Sequence, residues 1–353
     1  MNLDDWRSRI NELDNQILHL LNQRAEAALK IGDLKRRQDG PSYVPEREAE
    51  ILARLATQNA GPLPAEAVRA VWAEIISACR TLERPLTVAY LGPPATFTHQ
   101  ASLRRFGSAA TLIPARSIGE VFADVERGRA DVGVVPVENS TEGAVNVTLD
   151  RLVQSDAVIC GELHLAIVQS LLSRAGALAE IKRVVSHPQA LAQCRSWLAQ
   201  HLPGVPTEET NSTAAAAEIA AADATVAAIA SELAGRLYGV PVLQAGIEDV
   251  PDNSTRFLVI GRQPCSPTGS DKTSIVFAMR DEPGVLHRIL EPCARLGINL
   301  SKIESRPAKH RPWKHVSFVD LEGHRDTPNV ASALREIGAQ TLFLKILGSY
   351  PAG

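Results

Sequence analysis

The stretch VGVVPVEN at positions 132–139 decides the fold class of the middle of this chain. It is a short run of apolar, mostly β-branched residues, which is typical of a buried strand, and it ends in polar side chains. Similar runs stand on both sides of it, TVAYLG before and AVICGELHLAIV and RVVSHP after, with helical stretches between them. This alternation predicts an α/β domain with largely parallel strands, organised as one domain or two lobes.

The first 84 residues, in contrast, are typical of helices alone. An apolar seam with alternating steps of four and three predicts a helix from Leu3 to about Gln38, on the order of 50 Å long. The seam consists of Trp6, Ile10, Leu13, Ile17, Leu20, Ala27, Ile31 and Leu34. Since one small domain cannot cover such a helix, we expect an intertwined or coiled-coil-like homodimer, or a higher homo-oligomer. Gly40–Pro41 ends this helix, and further helices are predicted from near Glu46 and over 65–82.

After a turn-rich linker at 263–271, the C-terminal residues alternate in a third way. The runs TSIVFAMR, NLSKIESRP, HVSFVDLE and TLFLKILGSYP read as strands, and two helical stretches separate them. The order βαββαβ predicts a small ferredoxin-like α+β unit.

Composition narrows the possible partners and the compartment. A formal net charge of -3 gives no electrostatic footprint for nucleic acid or an anionic membrane, so small molecules or further copies of the chain are expected. Five scattered cysteines favour a reducing compartment over a disulfide framework. No signal-peptide core and no long apolar window appear, so we expect a cytoplasmic protein without a membrane span.

Two basic residues stand out in the first helix. Arg24 occupies the seam, where an apolar residue is expected, and Lys35 lies within about 20° of it on the same helical face. A buried guanidinium calls for an anion, which predicts a site for an acidic ligand. Intrahelical ion pairs with Glu26 or Asp33 are the alternative explanation.

The helical segment resembles the intertwined-dimer class of chorismate mutase. The resemblance lies in WRSRINELDNQILHLLNQR, the following I-G-x-x-K, and PEREAEIL. It implies that basic side chains clamp the two carboxylates of chorismate and that one of them, Arg7, reaches into the partner's site. It also implies that Glu48 holds a substrate hydroxyl. The residues that it implies are catalytic are Arg7, Arg24, Lys35, Arg47, Glu48, Cys79 and Glu83.

Glu83 departs from some members of that family, which have glutamine at the corresponding position. The Claisen rearrangement needs donors beside the breaking ether oxygen, and an ionised carboxylate cannot donate. The sequence therefore predicts that mutase activity falls as rising pH removes the proton from Glu83.

The middle segment carries three polar clusters beside strand-like runs: VPVENSTEG, SHPQALAQC and NSTRFLVIG. If each follows its strand, all lie at the carboxyl ends of the sheet, where ligands bind in α/β folds. Taken singly, such clusters are more often turns and helix caps.

In this order the three clusters resemble prephenate dehydratase, a two-lobed fold similar to type 2 periplasmic binding proteins. The resemblance implies that Thr255 assists departure of the ring hydroxyl of prephenate. The cleft residues that it implies are Asn139, Ser140, Thr141, Ser186, Gln193 and Thr96, with Arg256 either binding substrate or serving the structure. The loop GPPATFT has Ala95 where the family usually has glycine, so the loop must differ if that position needs a positive φ.

The C-terminal unit resembles an ACT domain through EPGVLHRIL and KIESRP. This resemblance implies a phenylalanine site formed by Gly284, Val285, Leu286, Glu304, Ser305 and Arg306. A plain dimerisation unit is the alternative.

The whole chain thus resembles bifunctional chorismate mutase/prephenate dehydratases, with predicted domains at 1–84, 86–264 and 271–353. The implied function is conversion of chorismate to prephenate and of prephenate to phenylpyruvate, feedback-inhibited by phenylalanine. Neither reaction calls for a cofactor, and no metal-binding cluster, P-loop or dinucleotide fingerprint is apparent. The alternatives are a dehydratase with a weak or dead mutase, a preference for arogenate, or a non-catalytic amino-acid sensor.

Overall fold

The structure is a computed structural model that describes residues 2–37, 43–307 and 315–352. The chain forms two compact units. The first comprises Met1–Thr87 with Leu103–Thr111, and the second comprises Val88–Ser102 with Leu112–Gly353.

Three helices build most of the first unit: α1 (Leu3–Arg37), α2 (Pro45–Gln58) and α3 (Ala65–Glu83). They confirm the predicted helical segment, and the break predicted at Gly40–Pro41 lies outside the described residues. Helices α1 and α3 pack closely where Gly32 faces Glu83, since a Cβ at Gly32 would lie 2.9 Å from the Cβ of Glu83.

The apolar seam of α1 is exposed within the single chain. Trp6, Ile10 and Leu20 are 55%, 56% and 61% exposed. Large exposed apolar side chains are typical of a surface that another protein chain covers, and the homo-oligomer stays a prediction.

From Thr87 onward the strands and helices alternate, as predicted. The strands are β1 (Thr87–Leu91), β2 (Thr111–Ala115), β3 (Val132–Asn139), β4 (Gly143–Ala144), β5 (Val158–Ala166), β6 (Ser170–Ser173), β7 (Arg183–Ser186), β8 (Thr207–Glu209), β9 (Val226–Ala230), β10 (Val242–Ala245), β11 (Ser254–Gly261), β12 (Asp271–Ala278), β13 (Leu300–Pro307), β14 (His315–Glu322) and β15 (Phe343–Pro351). The helices are α4 (Phe97–Phe106), α5 (Ile118–Glu126), α6 (Asn146–Gln154), α7 (Pro188–Gln193), α8 (Arg195–His201), α9 (Thr213–Ala222), α10 (Glu232–Tyr238), α11 (Val285–Arg295) and α12 (Pro328–Gln340).

The first sheet has the order β2-β1-β3-β11-β5, with β4 paired to β3. Strands β1 and β3 are parallel, but β11 is antiparallel to both β3 and β5. The prediction of largely parallel strands is therefore wrong for this sheet. The polar residues of NSTRFLVIG begin β11 instead of following a strand, and the antiparallel pairing brings them to the carboxyl end of β3.

The second sheet has the order β10-β6-β9-β7-β8. Strands β9, β7 and β8 are parallel to one another, while β6 runs antiparallel to both β9 and β10. The alanine-rich helix α9 packs against it through fully buried small side chains, including Ala214, Ala217 and Ala220. Two sheets in this segment agree with the predicted two-lobed architecture.

The C-terminal residues form a sheet of order β13-β14-β12-β15, which α11 and α12 cover. The strand and helix order is the predicted βαββαβ. Its core contains Ile275, Phe277, Ile289, Val319 and Ile337.

Candidate functional site

The basic residues predicted for the first unit lie along α1 and α2. Lys35 donates a hydrogen bond from Nζ to Glu83 Oε2 across 3.3 Å. The Arg24 guanidinium lies 5.7 Å from the ring centre of Trp72, a cation–π contact. Arg7 is exposed and pairs with Asp4 of its own helix at 3.2 Å.

Glu48 is a buried carboxylate of this unit and is held by two arginines. Its Oε1 accepts from Arg80 Nη1 at 2.5 Å, and its Oε2 lies 3.5 Å from Arg105 Nη1. Arg105 also donates to the Tyr43 hydroxyl at 3.0 Å. The sequence reasoning missed both arginines, since Arg80 looks like a surface residue of α3 and Arg105 follows the predicted end of the helical segment.

The remaining predicted residues of this unit differ in their burial. Cys79 is buried on α3, one turn before Glu83. Arg47 is exposed on α2 and pairs with Glu50 at 2.5 Å. The structure thus brings Lys35 together with Glu83, while the ion pairs seen for Arg7 and Arg47 among the described residues are with Asp4 and Glu50 of their own helices.

In the second unit, Asn139 organises the polar cluster at the end of β3. Its Oδ1 accepts from the Thr141 backbone N–H, the Thr141 hydroxyl and the Glu142 N–H. These donors fix the orientation of the amide, so Nδ2 points across to β11. Nδ2 donates to Asn253 Oδ1 and to Thr255 Oγ1, each at 2.9 Å.

This contact has a chemical consequence for Thr255. Because its hydroxyl oxygen accepts a hydrogen bond from Asn139, its own hydrogen is available to donate elsewhere. Thr255 is 8% exposed and pairs directly with Asn139 in the β3–β11 register. The pair therefore presents an oriented O–H donor at the end of two strands.

Further buried polar atoms near this cluster lack partners. Among the described residues, no hydrogen bond reaches Asn253 Nδ2, Gln169 Oε1 or Ser170 Oγ. Ser140 closes the cluster by donating to Asn253 Oδ1 at 3.2 Å, and Gln169 Nε2 donates to Gln193 Oε1 at 3.1 Å. Unpaired buried polar atoms are costly, so these atoms suit a polar ligand. Asn253 stands in the NSTRFLVIG motif, whereas no motif drew attention to Gln169.

Two predicted cleft residues have other partners. Ser186 is fully buried and donates to the Ile229 carbonyl oxygen at 2.6 Å, so its hydroxyl has a structural partner and its contact with substrate stays a prediction. Thr96 Oγ1 donates to carbonyl oxygens of its own loop and accepts from the His99 N–H at 3.3 Å, as a cap of α4 does.

The loop before α4 keeps the positive φ that glycine usually supplies. Ala95 has φ of 71° and is completely buried. A left-handed residue other than glycine costs about 1–2 kcal/mol, while burying one methyl group returns about 0.8 kcal/mol. Burial of the methyl group therefore offsets part of the conformational cost of alanine at this position.

Arg256 lies away from the polar cluster. It is 8% exposed and forms ion pairs with Glu162 and Asp320. Of the two roles left open for it, the structure supports the structural one.

The predicted effector residues divide into two groups. Gly284, Val285, Leu286 and Ser305 line a pocket of about 440 Å³ in the C-terminal unit. Glu304 and Arg306 lie outside this lining, and Arg306 instead pairs with Asp150 at 2.6 Å. For these two residues the role in an effector site stays a prediction. Arg280 and His315 also line the pocket, and no motif predicted them.

The described residues contain neither a metal-binding cluster nor a membrane-spanning helix. Within 2–37, 43–307 and 315–352, no group of three or more His, Cys, Asp or Glu side chains is arranged to hold a metal ion. Among the same residues, no helix has the length and apolar character that crossing a bilayer requires.

Comparison with protein families matches the chain in three parts. Residues 6–84 match the model of chorismate mutase type II, residues 88–265 that of prephenate dehydratase, and residues 273–339 that of the ACT domain. A bifunctional chorismate mutase/prephenate dehydratase of Aquifex aeolicus is 50% identical over 99% of this chain and 98% of its own length. The chain belongs to the bifunctional chorismate mutase/prephenate dehydratase family.

Two further relatives agree with this membership. The bifunctional chorismate mutase/prephenate dehydratase of Pseudomonas aeruginosa is 46% identical over 98% of this chain and 96% of its own length. Prephenate dehydratase from Arthrobacter aurescens, solved in complex with L-Phe, is 38% identical with a TM-score of 0.69. That likeness covers 75% of this chain and 90% of the Arthrobacter chain.

Proposed function

We propose that this chain catalyses two consecutive reactions, chorismate to prephenate and prephenate to phenylpyruvate, and that phenylalanine inhibits it. The domain assignment 1–84, 86–264 and 271–353 belongs to this proposal. The observation that carries the dehydratase assignment is the hydrogen bond from Asn139 Nδ2 to Thr255 Oγ1 at 2.9 Å.

In the dehydratase reaction the bond from the ring to its hydroxyl breaks while the ring loses CO2 and becomes aromatic. The departing hydroxide needs a proton or a strong hydrogen bond, which the oriented Thr255 O–H supplies. The unpaired Asn253 Nδ2 is a donor that suits a substrate carboxylate. Ser140, Thr141 and Gln193 shape the same polar cluster.

The mutase reaction is pericyclic and needs a compact substrate conformer with donors where charge develops on the ether oxygen. Lys35 is our candidate for that donor, Arg24 and Arg47 for the carboxylates, and Glu48 for the substrate hydroxyl. Cys79 and Glu83 complete the wall that α3 contributes. Arg7 would enter from a second copy, whose α1 would also cover the exposed apolar seam.

The pocket beside Gly284 fits an amino acid in size, since ligand sites are typically about 300–1,000 Å³. It opens at the N-terminus of α11, where backbone N–H groups suit a carboxylate. Phenylalanine, the expected end product, is the proposed ligand. All five cysteines lie among the described residues, are buried and take part in no disulfide, which suits the cytoplasmic location that we propose.

The test is incubation of the purified protein with chorismate alone, following prephenate and phenylpyruvate separately, with and without phenylalanine. We expect phenylpyruvate to form and phenylalanine to suppress it. Turnover of added prephenate without turnover of chorismate would remove the mutase assignment. Phenylalanine binding without any turnover would favour a sensor. Sedimentation of the same sample tests the homo-oligomer.

A further inference from the structure

Asn139 and Thr255 lie at the centre of the proposed dehydratase site. The residue next to each along its strand has its side chain on the opposite face of the sheet. Thr255 pairs with Asn139 across β3 and β11, and the next pair along is Arg256 with Glu138. Successive side chains of a strand lie on opposite faces of the sheet. Arg256 and Glu138 therefore belong to the reverse face of the strands that carry the site.

The Arg256 guanidinium binds Asp320 and Tyr350 of the C-terminal sheet and Glu162 of β5. Arg256 donates from Nη1 to Asp320 Oδ2 at 2.6 Å, from Nη2 to the Tyr350 hydroxyl at 3.0 Å, and from Nε to Glu162 Oε2 at 2.7 Å. Asp320 is further fixed by Ser274, whose hydroxyl donates to Oδ1 at 2.5 Å. All of these groups are buried, so this network is a stiff anchor.

The same C-terminal unit also holds Glu138. Lys302 of β13 donates from Nζ to Glu138 Oε2 at 2.7 Å. The Lys302 side chain is 13% exposed and that of Glu138 is 37% exposed. This pair is wetter than the Arg256 network, so it breaks at a smaller free-energy cost.

Strand β13 has two different faces. Ser305 lines the pocket beside Gly284, whereas Lys302 and Arg306, at odd spacing from Ser305, point away from it. Arg306 donates to the Asn146 carbonyl oxygen at 2.8 Å. Strand β13 thus borders the proposed effector pocket on one side. On the other side it contacts β3, which carries Asn139 of the proposed dehydratase site, and α6.

We propose that the Lys302–Glu138 ion pair couples the effector pocket to the dehydratase cleft, with Arg256 as the fixed point of the linkage. This inference rests on the proposed function. A ligand that prefers one position of β13 shifts the Lys302–Glu138 contact, and Glu138 is covalently adjacent to Asn139, which orients Thr255. Lys302 and Glu138 transmit the position of β13 to Asn139, and they are not needed to orient Thr255 when the effector is absent.

The test compares the KM for prephenate at saturating phenylalanine with the KM in its absence, for the full chain and for Lys302→Met. In the wild type the ratio of the two KM values measures the coupling. We expect Lys302→Met to keep kcat and KM within about two-fold when phenylalanine is absent. Its KM ratio should fall at least about five-fold, since couplings between sites are typically about 5–150-fold.

Two further variants make the result specific. Lys345→Met removes another lysine of the C-terminal sheet, whose ammonium donates to the Leu152 carbonyl oxygen at 3.0 Å instead of to a residue of β3, and it should keep the wild-type ratio. The charge swap Lys302→Glu with Glu138→Lys should restore most of the ratio that each single substitution loses.

The outcomes separate the linkage from the proposed function. Inhibition of Lys302→Met equal to that of the wild type, or a loss of equal size in Lys345→Met, would overturn the linkage and leave the function standing. A wild type that phenylalanine does not inhibit would overturn both. Calorimetry with phenylalanine alone shows whether the pocket of each variant still binds.

Discussion

Lys35 Nζ donates a hydrogen bond to the Glu83 carboxylate across 3.3 Å, so the proposed donor to the ether oxygen is already engaged by an anion. Substrate must compete with this carboxylate for the ammonium, and an ionised Glu83 also faces a dianionic substrate. Both effects weaken mutase catalysis, and both are absent when a neutral amide stands in place of the carboxylate.

We therefore expect Glu83→Gln to raise mutase kcat/KM at neutral pH by about ten-fold, because a hydrogen bond to a charged group contributes about 1.5–3 kcal/mol. Glu83→Met is the control, since it removes the charge without supplying a donor, and its gain should be smaller. Equal kcat/KM values for the wild type and Glu83→Gln on chorismate would refute the role of the Glu83 charge.

Arg80 and Arg105 hold Glu48 unequally, which predicts unequal effects. The Arg80–Glu48 pair is 2.5 Å long with side chains 9% and 12% exposed, while Arg105 is 18% exposed at 3.5 Å. Arg80→Met should lower the free energy of unfolding by about 3 kcal/mol, as breaking a buried pair does, and Arg105→Met by about 1 kcal/mol or less. Denaturation in urea measures both.

Arg80→Met and Arg105→Met should also lower mutase kcat/KM, since Glu48 loses its fixed orientation in both. The loss should be larger for Arg80→Met. Dehydratase kcat/KM on added prephenate is the internal control and should stay within about two-fold of the wild type. An equal loss of both activities would mean that the chain as a whole has been damaged.

The sequence predicted where helices and strands occur better than it predicted the relative directions of the strands. Residue patterns predicted the helices of the first 84 residues and the βαββαβ order, because both depend on local periodicity. The antiparallel direction of β11 depends on which strands it pairs with in the tertiary structure. Local sequence patterns do not encode this pairing. Arg256 shows the consequence: its motif suggested the cleft, and strand alternation placed it on the reverse face.

Contacts between distant residues account for the other omissions. Glu48 carries a family motif, but the arginines that hold it come from α3 and from the end of α4, at separations that periodicity does not reach. Asn253 and Gln169 became candidates only through their unpaired buried atoms, which require coordinates to detect.

Thr255 should tolerate serine and fail with valine. Thr255→Ser keeps an O–H donor in reach of Asn139 Nδ2, so we expect dehydratase kcat to stay within about ten-fold of the wild type. Thr255→Val keeps the shape but removes the donor, and kcat should fall by about 10²–10⁴, the range for proton transfer by a positioned group. Mutase activity on chorismate is the control. A Thr255→Val enzyme with wild-type kcat would exclude the proposed role.

His99 makes the loop at Ala95 sensitive to acid. The Ala95 N–H donates to His99 Nδ1 at 3.0 Å, so this nitrogen must be unprotonated, and the ring stacks on Tyr90 with centroids 4.9 Å apart. Burial lowers the pKa of His99 below its ordinary value of 6.5. The unfolded chain therefore takes up this proton at higher pH than the folded chain does.

From that sign, the contribution of His99 to stability is complete above pH 6.5 and is lost as the pH falls through the lowered pKa of the folded state. His99→Asn offers an amide oxygen as acceptor and does not titrate, so it serves as the matched reference. We expect the urea midpoint of the wild type to drop more than that of His99→Asn between neutral and mildly acid pH. The difference between the two proteins cancels every other titrating group, so parallel midpoints would mean that His99 does not exchange its proton on unfolding.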